Sequence, residues 1–351
     1  MSDLDGIIRA CIEAEGPISV ARFMQFALQH PTFGYYVTGD PLGHEGDFTT
    51  SPEISQLFGE MVGVWCAELW RLMGQPPRFA LLEMGPGRGT LMQDALRATA
   101  RVDGFHAALK LYMMESNATL RAKQLEKLGA FAPHYVESPN DLPPLPLIVI
   151  ANEFLDAMPI HQYLRTSQGW RERMVGVKEG AFVFMEGDAP LPLPLPEHLP
   201  FYETAPQAIA LVQEIAAAIA ERGGGALFVD YGYTQPSGQD TLQAVSKHAF
   251  ARDPLARPGQ VDLTAHVDFS ALRVAAERAG AKVWSVATQG DFLRAMGIEL
   301  RAVQVKHKAS DTQAHEIDLA LRRLTDEAQM GTLFKAFALT RRDLHDIPGF
   351  S

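Results

Sequence analysis

The chain has 351 residues, 47% of them apolar and 21% charged, and 31 Lys plus Arg face 42 Asp plus Glu for a formal charge of −11. That length buries a sizeable core, either as one large α/β domain with additions or as two smaller ones, and the acidic balance excludes broad attraction to nucleic acid or to an anionic membrane surface. With only Cys11 and Cys66 available, a disulfide framework and a thiolate zinc site are excluded too, and both cysteines are expected as buried small hydrophobes on apolar helix faces.

The first residues, MSDLDGIIRACIEAEG, carry acids where a signal or transit peptide carries Lys or Arg, so a cytoplasmic protein is expected. No apolar run approaches the roughly 18 to 20 residues that span a bilayer, so stable membrane insertion is not expected. Residues 1–75 form an N-terminal helical region, with apolar residues recurring at three- and four-residue steps. Inside it, PTFGYYVTGDPLGHEGDFTTS is too rich in Gly, Asp and Thr for a helix and reads as an irregular loop over 31–51. Loops of this length in compact chains are often functional. Ser51, Pro52 and Glu53 make a helix start, with Ser51 as the cap and Glu53 at the positive end of the dipole.

Residues 76–351 change to alternation. FALLEM, ALKLYMME, HYVE and PLIVIAN read as strands separated by helices, which implies a parallel sheet built by right-handed crossovers. An insertion at about 160–200 looks like a small antiparallel β segment closed by a polyproline-type connector, APLPLPLPEHLP. Helix 203–222, strand GALFVDYG, an unstructured-looking stretch 231–262, further helices and a final strand TLFKAFALTRR complete about seven core strands.

After the first of these strands comes LLEMGPGRGT, residues 81–90. Gly85, Gly87 and Gly89 lie where a backbone turns tightly and meets a ligand without Cβ atoms in the way. A dinucleotide fingerprint would need glycine where Thr90 stands, and no Gly-Lys-Ser/Thr run exists for a phosphate loop. Glu83 decides the sign of the ligand. Unit charges a few ångströms apart at an effective dielectric near 20 interact by about 4 kcal/mol, so a carboxylate here repels a pyrophosphate and favours S-adenosylmethionine, which carries a sulfonium and an α-amino group. Glu115, closing the second strand, is placed to accept two ribose hydroxyls. Asp141 could accept from the adenine amino group. The fourth strand ends in PLIVIANEFLDAMPIHQY and delivers Asn152, Glu153 and Asp156 to the edge where open α/β sheets bind ligands.

Six stretches, GPISVARFMQFALQHPTFGYY, GDFTTSPEISQLFGE, LLEMGPGRGTLMQD, ANEFLDAMPIHQY, VDYGY and DPLARPGQVDLTAHVDF, cover nearly the whole chain. Together they resemble the MidA-type family of class I S-adenosylmethionine-dependent methyltransferases, whose mitochondrial members assist assembly of respiratory complex I. The resemblance implies a Rossmann-like seven-stranded sheet with a late antiparallel strand, and methylation of a protein arginine, with a complex I subunit as the acceptor. It implies that the loop with Asp47 and Thr50 folds over the cofactor. Glu153 and Asp156 are then the candidates for a clamp on the guanidinium, with Asn152 beside the cofactor. His248, Asp262 and His266 show no convergent spacing, so no metal is expected and their segment reads as a lid or acceptor-binding loop. Methylation of another substrate, and a non-catalytic assembly chaperone that keeps the cofactor fold, are the alternatives. Intact Glu83, Glu115 and the three glycines argue against the chaperone.

Overall fold

The computed structural model describes residues 3–37, 50–191, 195–246, 249–251 and 253–350. These fall into two compact units, one of residues 1–48, 156–210 and 233–270 and the other of residues 49–155, 211–232 and 271–351. The helix Gln56–Leu72 (α1), read as part of the N-terminal helical region 1–75, falls in the second of these units. It is buried over most of its circumference, from Leu57 to Trp70, so it needs cover on several sides and packs with the sheet. Gly59 and Gly63 permit its approach to the helix Thr90–Thr99 (α2); a Cβ on Gly63 would stand 2.5 Å from Ala95 O. Cys66 lies in this core, and burial pushes its thiol pKa up. Cys11 is only half-buried, its Sγ 3.7 Å from Glu15 Oε1, so the expectation of burial holds for one cysteine of the two.

The sheet unit contains Phe79–Met84 (β1), Leu109–Met114 (β2), His134–Tyr135 (β3), Leu147–Asn152 (β4), Gly224–Tyr233 (β5), Lys282–Val283 (β6) and Phe334–Thr340 (β7). They lie in the continuous order β6-β7-β5-β4-β1-β2-β3 within a nine-stranded sheet, so short flanking strands extend the expected count of seven. β1 is parallel to both β2 and β4, and β4 is parallel to β5. β7 runs antiparallel between β5 and β6. β1 and β5 read as near-continuous apolar runs because both faces are covered, and they are buried along their lengths. Trp70, Phe79 and Phe105 form an aromatic cluster under β1, with Trp70 and Phe105 edge to face at 5.6 Å.

In the other unit the helices Asp3–Glu15 and Val20–Gln29 share a core with the inserted strands. Phe23 meets Phe182 edge to face at 5.6 Å, and Ile18 pairs with Val175 across an antiparallel ladder. His161–Thr166, Gly169–Lys178 and Ala181–Glu186 are antiparallel strands within the stretch read as an insertion; Phe201–Thr204, which lies past it and overlaps the start of the helix expected over 203–222, is a fourth, the helix being Pro206–Arg222, and with Ile18–Ser19 they make a five-stranded sheet. The stretch 231–262, read as unstructured, contributes to a second, three-stranded sheet of Gln243–Ser246, Ala249–Ala251 and Asp262–Thr264. Strands this short show no alternation in sequence, and both partners of Gln243–Ser246 follow it in the chain, the second of them sixteen or more residues on. Among the described residues no helix is long and apolar enough to cross a membrane.

Candidate active site

The turn after β1 has Gly85, Gly87 and Gly89 at φ of +62°, +53° and +73°, a region that side chains with a Cβ rarely enter. Gly85 also has no room: a Cβ there would lie 2.7 Å from the ring of Phe154. Gly89 is the left-handed N-cap of α2, so the turn opens directly onto the positive end of a helix. The carbonyl of Gly87 accepts from Gln124 Nε2 at 2.6 Å. Gln124 is fully buried on the helix Ala118–Leu128 (α3) and lies 3.4 Å from Glu115 Oε2, so one amide ties the turn to the second strand's acid.

Glu83 is 3% exposed, and burial first, then the charge of Glu115, raises its pKa to about 8. Burial also raises that of Glu115, although the N–H groups of Asn117 and Ser116 and the Gln124 amide oppose the shift. Three buried oxygens near this turn and the adjoining strand end, Glu83 Oε2, Gln124 Oε1 and Asn152 Oδ1, have no donor from the protein. Gln124 Oε1 and Asn152 Oδ1 are acceptors, and Glu83 Oε2 is one whenever its carboxyl is ionised. Buried acceptors cost free energy until a donor reaches them. A phosphate ligand brings only more acceptors and negative charge. A ligand with an ammonium group, ribose hydroxyls and a sulfonium brings what is missing, so the residues present fit S-adenosylmethionine. The ground for that choice in the sequence was the sign of Glu83, and the orphaned oxygens extend it to Gln124, which carried no signal in the sequence.

β4 ends at Asn152, and Glu153 follows at φ +49°, a strained backbone for a residue with a side chain. Its N–H continues the ladder to Val229 O at 2.9 Å. Glu153 Oε1 accepts from Ser51 N–H at 2.9 Å and from Asn152 Nδ2 at 3.1 Å. Expected as a cap, Ser51 is instead the first residue of the short helix Ser51–Ile54. Thr50 holds the cap position, its carbonyl accepting from the N–H groups of Glu53 and Ile54. Glu53 in turn accepts from Thr90 Oγ1 at 2.7 Å, which pins this helix to the start of α2. The structure therefore brings Glu83, Gly85, Gly87, Gly89, Glu115, Asn152, Glu153 and Thr50 into one unit.

Other candidates fall elsewhere. Asp47 lies outside the described residues, as does His248. Asp141 commits Oδ2 to its own turn, accepting from the N–H groups of Glu137 and Ser138 in a capping box. Asp156, three residues after Glu153, belongs to the first unit; it is buried there, and its backbone carbonyl accepts from Ala265 N–H. In that unit Tyr36 Oη lies 2.9 Å from both carboxylate oxygens of Asp262, and burial with the charges of Asp262 and Asp156 holds its phenol well above the usual range. Asp262 thus sits buried in a paired strand rather than in a free lid. Among the described residues no group of three or more His, Cys, Asp and Glu is arranged to hold a metal ion.

Missed in the sequence reading was Asp230, in VDYGY at the end of β5. Its Oδ2 accepts from the N–H groups of Phe154 and Leu155 at 3.1 and 2.9 Å. The rule that ligands bind at the carboxyl ends of the strands would have found it, since Glu83, Glu115 and Asn152 mark the same edge.

A doubly wound sheet with an antiparallel last strand, a glycine turn and two acids on adjacent strand ends, one buried and one half-buried, defines a class of nucleoside-cofactor enzymes that transfer a group from a cationic donor. The chain belongs to the family described as "putative S-adenosyl-L-methionine-dependent methyltransferase", whose profile matches residues 61–286. It is 35% identical to the mitochondrial protein arginine methyltransferase NDUFAF7 homolog of Drosophila melanogaster, over 98% of this chain and 87% of that one. The human mitochondrial protein arginine methyltransferase NDUFAF7 is 34% identical over 93% of this chain and 81% of its own length. A superfamily member from Burkholderia thailandensis, described as a candidate methyl transferase and crystallised with S-adenosyl-homocysteine, superimposes with a TM-score of 0.84 at 30% identity, covering 99% of this chain and 93% of that one. The protein is thus an S-adenosylmethionine-dependent methyltransferase. The same relatives overturn the expectation of a cytoplasmic protein, because they are mitochondrial by name. Acidic residues near an N-terminus report local charge, and charge alone does not set a compartment.

Gly87→Val is expected to abolish cofactor binding, because a β-branched residue at φ +53° displaces the carbonyl that Gln124 holds. Wild-type protein with S-adenosylmethionine at a hundred times its Kd gains about 2.7 kcal/mol. The variant should show no thermal shift under the same conditions, and a retained shift would count against this turn as the cofactor site.

Proposed function

We infer that this methyltransferase acts on an arginine side chain of a protein substrate. The observation that carries the reading is the carboxylate of Glu153, half-buried at the end of β4 on a strained backbone and oriented by Ser51 N–H and the Asn152 amide. A guanidinium stays protonated at any ordinary pH, so an acceptor site needs a fixed carboxylate to hold its charge and aim one nitrogen. Relatives named as protein arginine methyltransferases support the same choice.

When bound, the cofactor supplies an electrophilic methyl group. The glycine turn and Glu115 hold its nucleoside, and Glu83 compensates its positive charge. Glu153 orients the acceptor nitrogen, and alignment of the two reactants accounts for most of the rate. Asp156, buried in the first unit near Tyr36 and Asp262, is a separate candidate for acceptor recognition within that unit. A respiratory complex I subunit is the acceptor that the family resemblance brings forward.

Comparative mass spectrometry of the proteome with and without this protein tests the reading. One arginine should lose its methyl groups in the deletion strain and regain them on complementation. Methylation lost from lysine or from a small molecule, with every arginine unchanged, would reject it.

A further inference from the structure

Asp230 has no task in cofactor binding or acceptor orientation as described so far, yet it is 1% exposed at the end of the strand beside β4. Oδ2 takes the N–H groups of Phe154 and Leu155, and Oδ1 takes that of Tyr231 at 2.9 Å. With Glu153 N–H on Val229 O, three successive amides of residues 153–155 are fastened to two successive residues of β5. The residue that begins this run is Glu153, whose φ of +49° persists only while its surroundings over-determine it. A carboxylate is well suited to the task. Hydrogen bonds from N–H groups to an ionised oxygen are shorter and stronger than neutral ones, and one Oδ can receive two of them.

We propose that Asp230 is a positioning residue for methyl transfer, locking the 153–155 turn so that the Glu153 carboxylate is aimed at the acceptor. It fixes the turn from the β5 side, while Ser51 N–H and the Asn152 amide fix the carboxylate itself. Asp230 acts through Glu153 and not on the cofactor. The inference rests on Glu153 as the acceptor-orienting carboxylate.

The test uses Asp230→Asn, which keeps the shape and one acceptor oxygen, and Asp230→Ser as a second variant. Each is measured for S-adenosylmethionine Kd by calorimetry and for kcat with an arginine-containing protein acceptor, alone and combined with Glu153→Gln. A positioning role gives a Kd within about twofold of wild type and a kcat at least tenfold lower, with no further loss in the Glu153→Gln background. Wild-type kcat overturns the proposal, and so do losses that multiply in the double variant. Cofactor affinity falling together with kcat, or failure of both variants to fold, also overturns it, because either outcome marks a general structural residue. If Glu153→Gln alone turns over at the wild-type rate, the reading of Glu153 has failed. If Glu153→Gln is impaired while Asp230→Asn is not, only the role of Asp230 has failed.

Discussion

Glu153→Gln is expected to bind S-adenosylmethionine as wild type does and to lose methyl transfer by about 10²- to 10³-fold in kcat. Glutamine is nearly isosteric, and its amide oxygen can still accept from Ser51 N–H and the Asn152 amide, so the turn and the strand end keep their shape. What disappears is the negative charge. A carboxylate a few ångströms from a guanidinium contributes about 4 kcal/mol at an effective dielectric near 20, and partial exposure of Glu153 reduces that toward the 2.7 to 4 kcal/mol that a hundred- to thousandfold loss represents. Cofactor Kd should stay within about twofold, because the orphaned acceptors near the turn, Glu83 and Gln124, are untouched. Stopped-quench turnover with an arginine-containing acceptor, run beside calorimetry, separates the two quantities. Equal kcat in the variant would sink the clamp.

Cofactor affinity should rise about tenfold for each pH unit between pH 5.5 and 7, with one proton released per molecule bound. Without ligand, Glu83 holds its proton up to about pH 8, because burial and the charge of Glu115 disfavour its ionised form. In the unfolded chain the same group ionises near its ordinary value of about 4.3. The folded protein therefore binds more protons than the unfolded one between those two values. The stability Glu83 contributes is present in full below the lower pKa and is lost as pH rises through the higher one. A cationic donor selects the ionised carboxylate, so binding must expel that proton, and lower pH opposes it. The window ends near pH 7 because the donor's own α-amino group begins to lose charge at about 7.7 to 8.0. Calorimetry in buffers of different ionisation enthalpy counts the proton directly. Glu83→Gln should flatten the profile, and a wild-type Kd that does not change across this range would refute the assignment.

The cofactor half of the site was readable because its chemistry is local. E-x-G-x-G-x-G places a charge and three permissive backbones within seven residues, and each glycine has the positive φ that its residue type suggested. Glu115 was readable for a similar reason, since an acid closing the second strand of a parallel sheet has a place set by the connectivity. The acceptor side was less legible. Glu153 and Asp156 are close in sequence and belong to different units, because the chain leaves the sheet between them. Asp141, an acid in a turn, was open to two readings, and its Oδ2 caps that turn. Gln124 left no trace in sequence, because a glutamine inside a helix is ordinary until the turn it faces is known.

By itself the sequence determined the alternation of strands and helices from β1 to β4, the sign of the ligand and the family, since these follow from apolar periodicity, from the charge of Glu83 and from short contiguous motifs. Only the tertiary structure decided that α1 belongs with the sheet, that the inserted strands share a core with the N-terminal helices, and that Asp230 and Ser51 fasten the Glu153 turn. Those contacts join residues 75 to more than 150 positions apart in the chain. They arise from burying each apolar face and satisfying each buried N–H, conditions that act across the folded molecule and have no signature in a local run of residues.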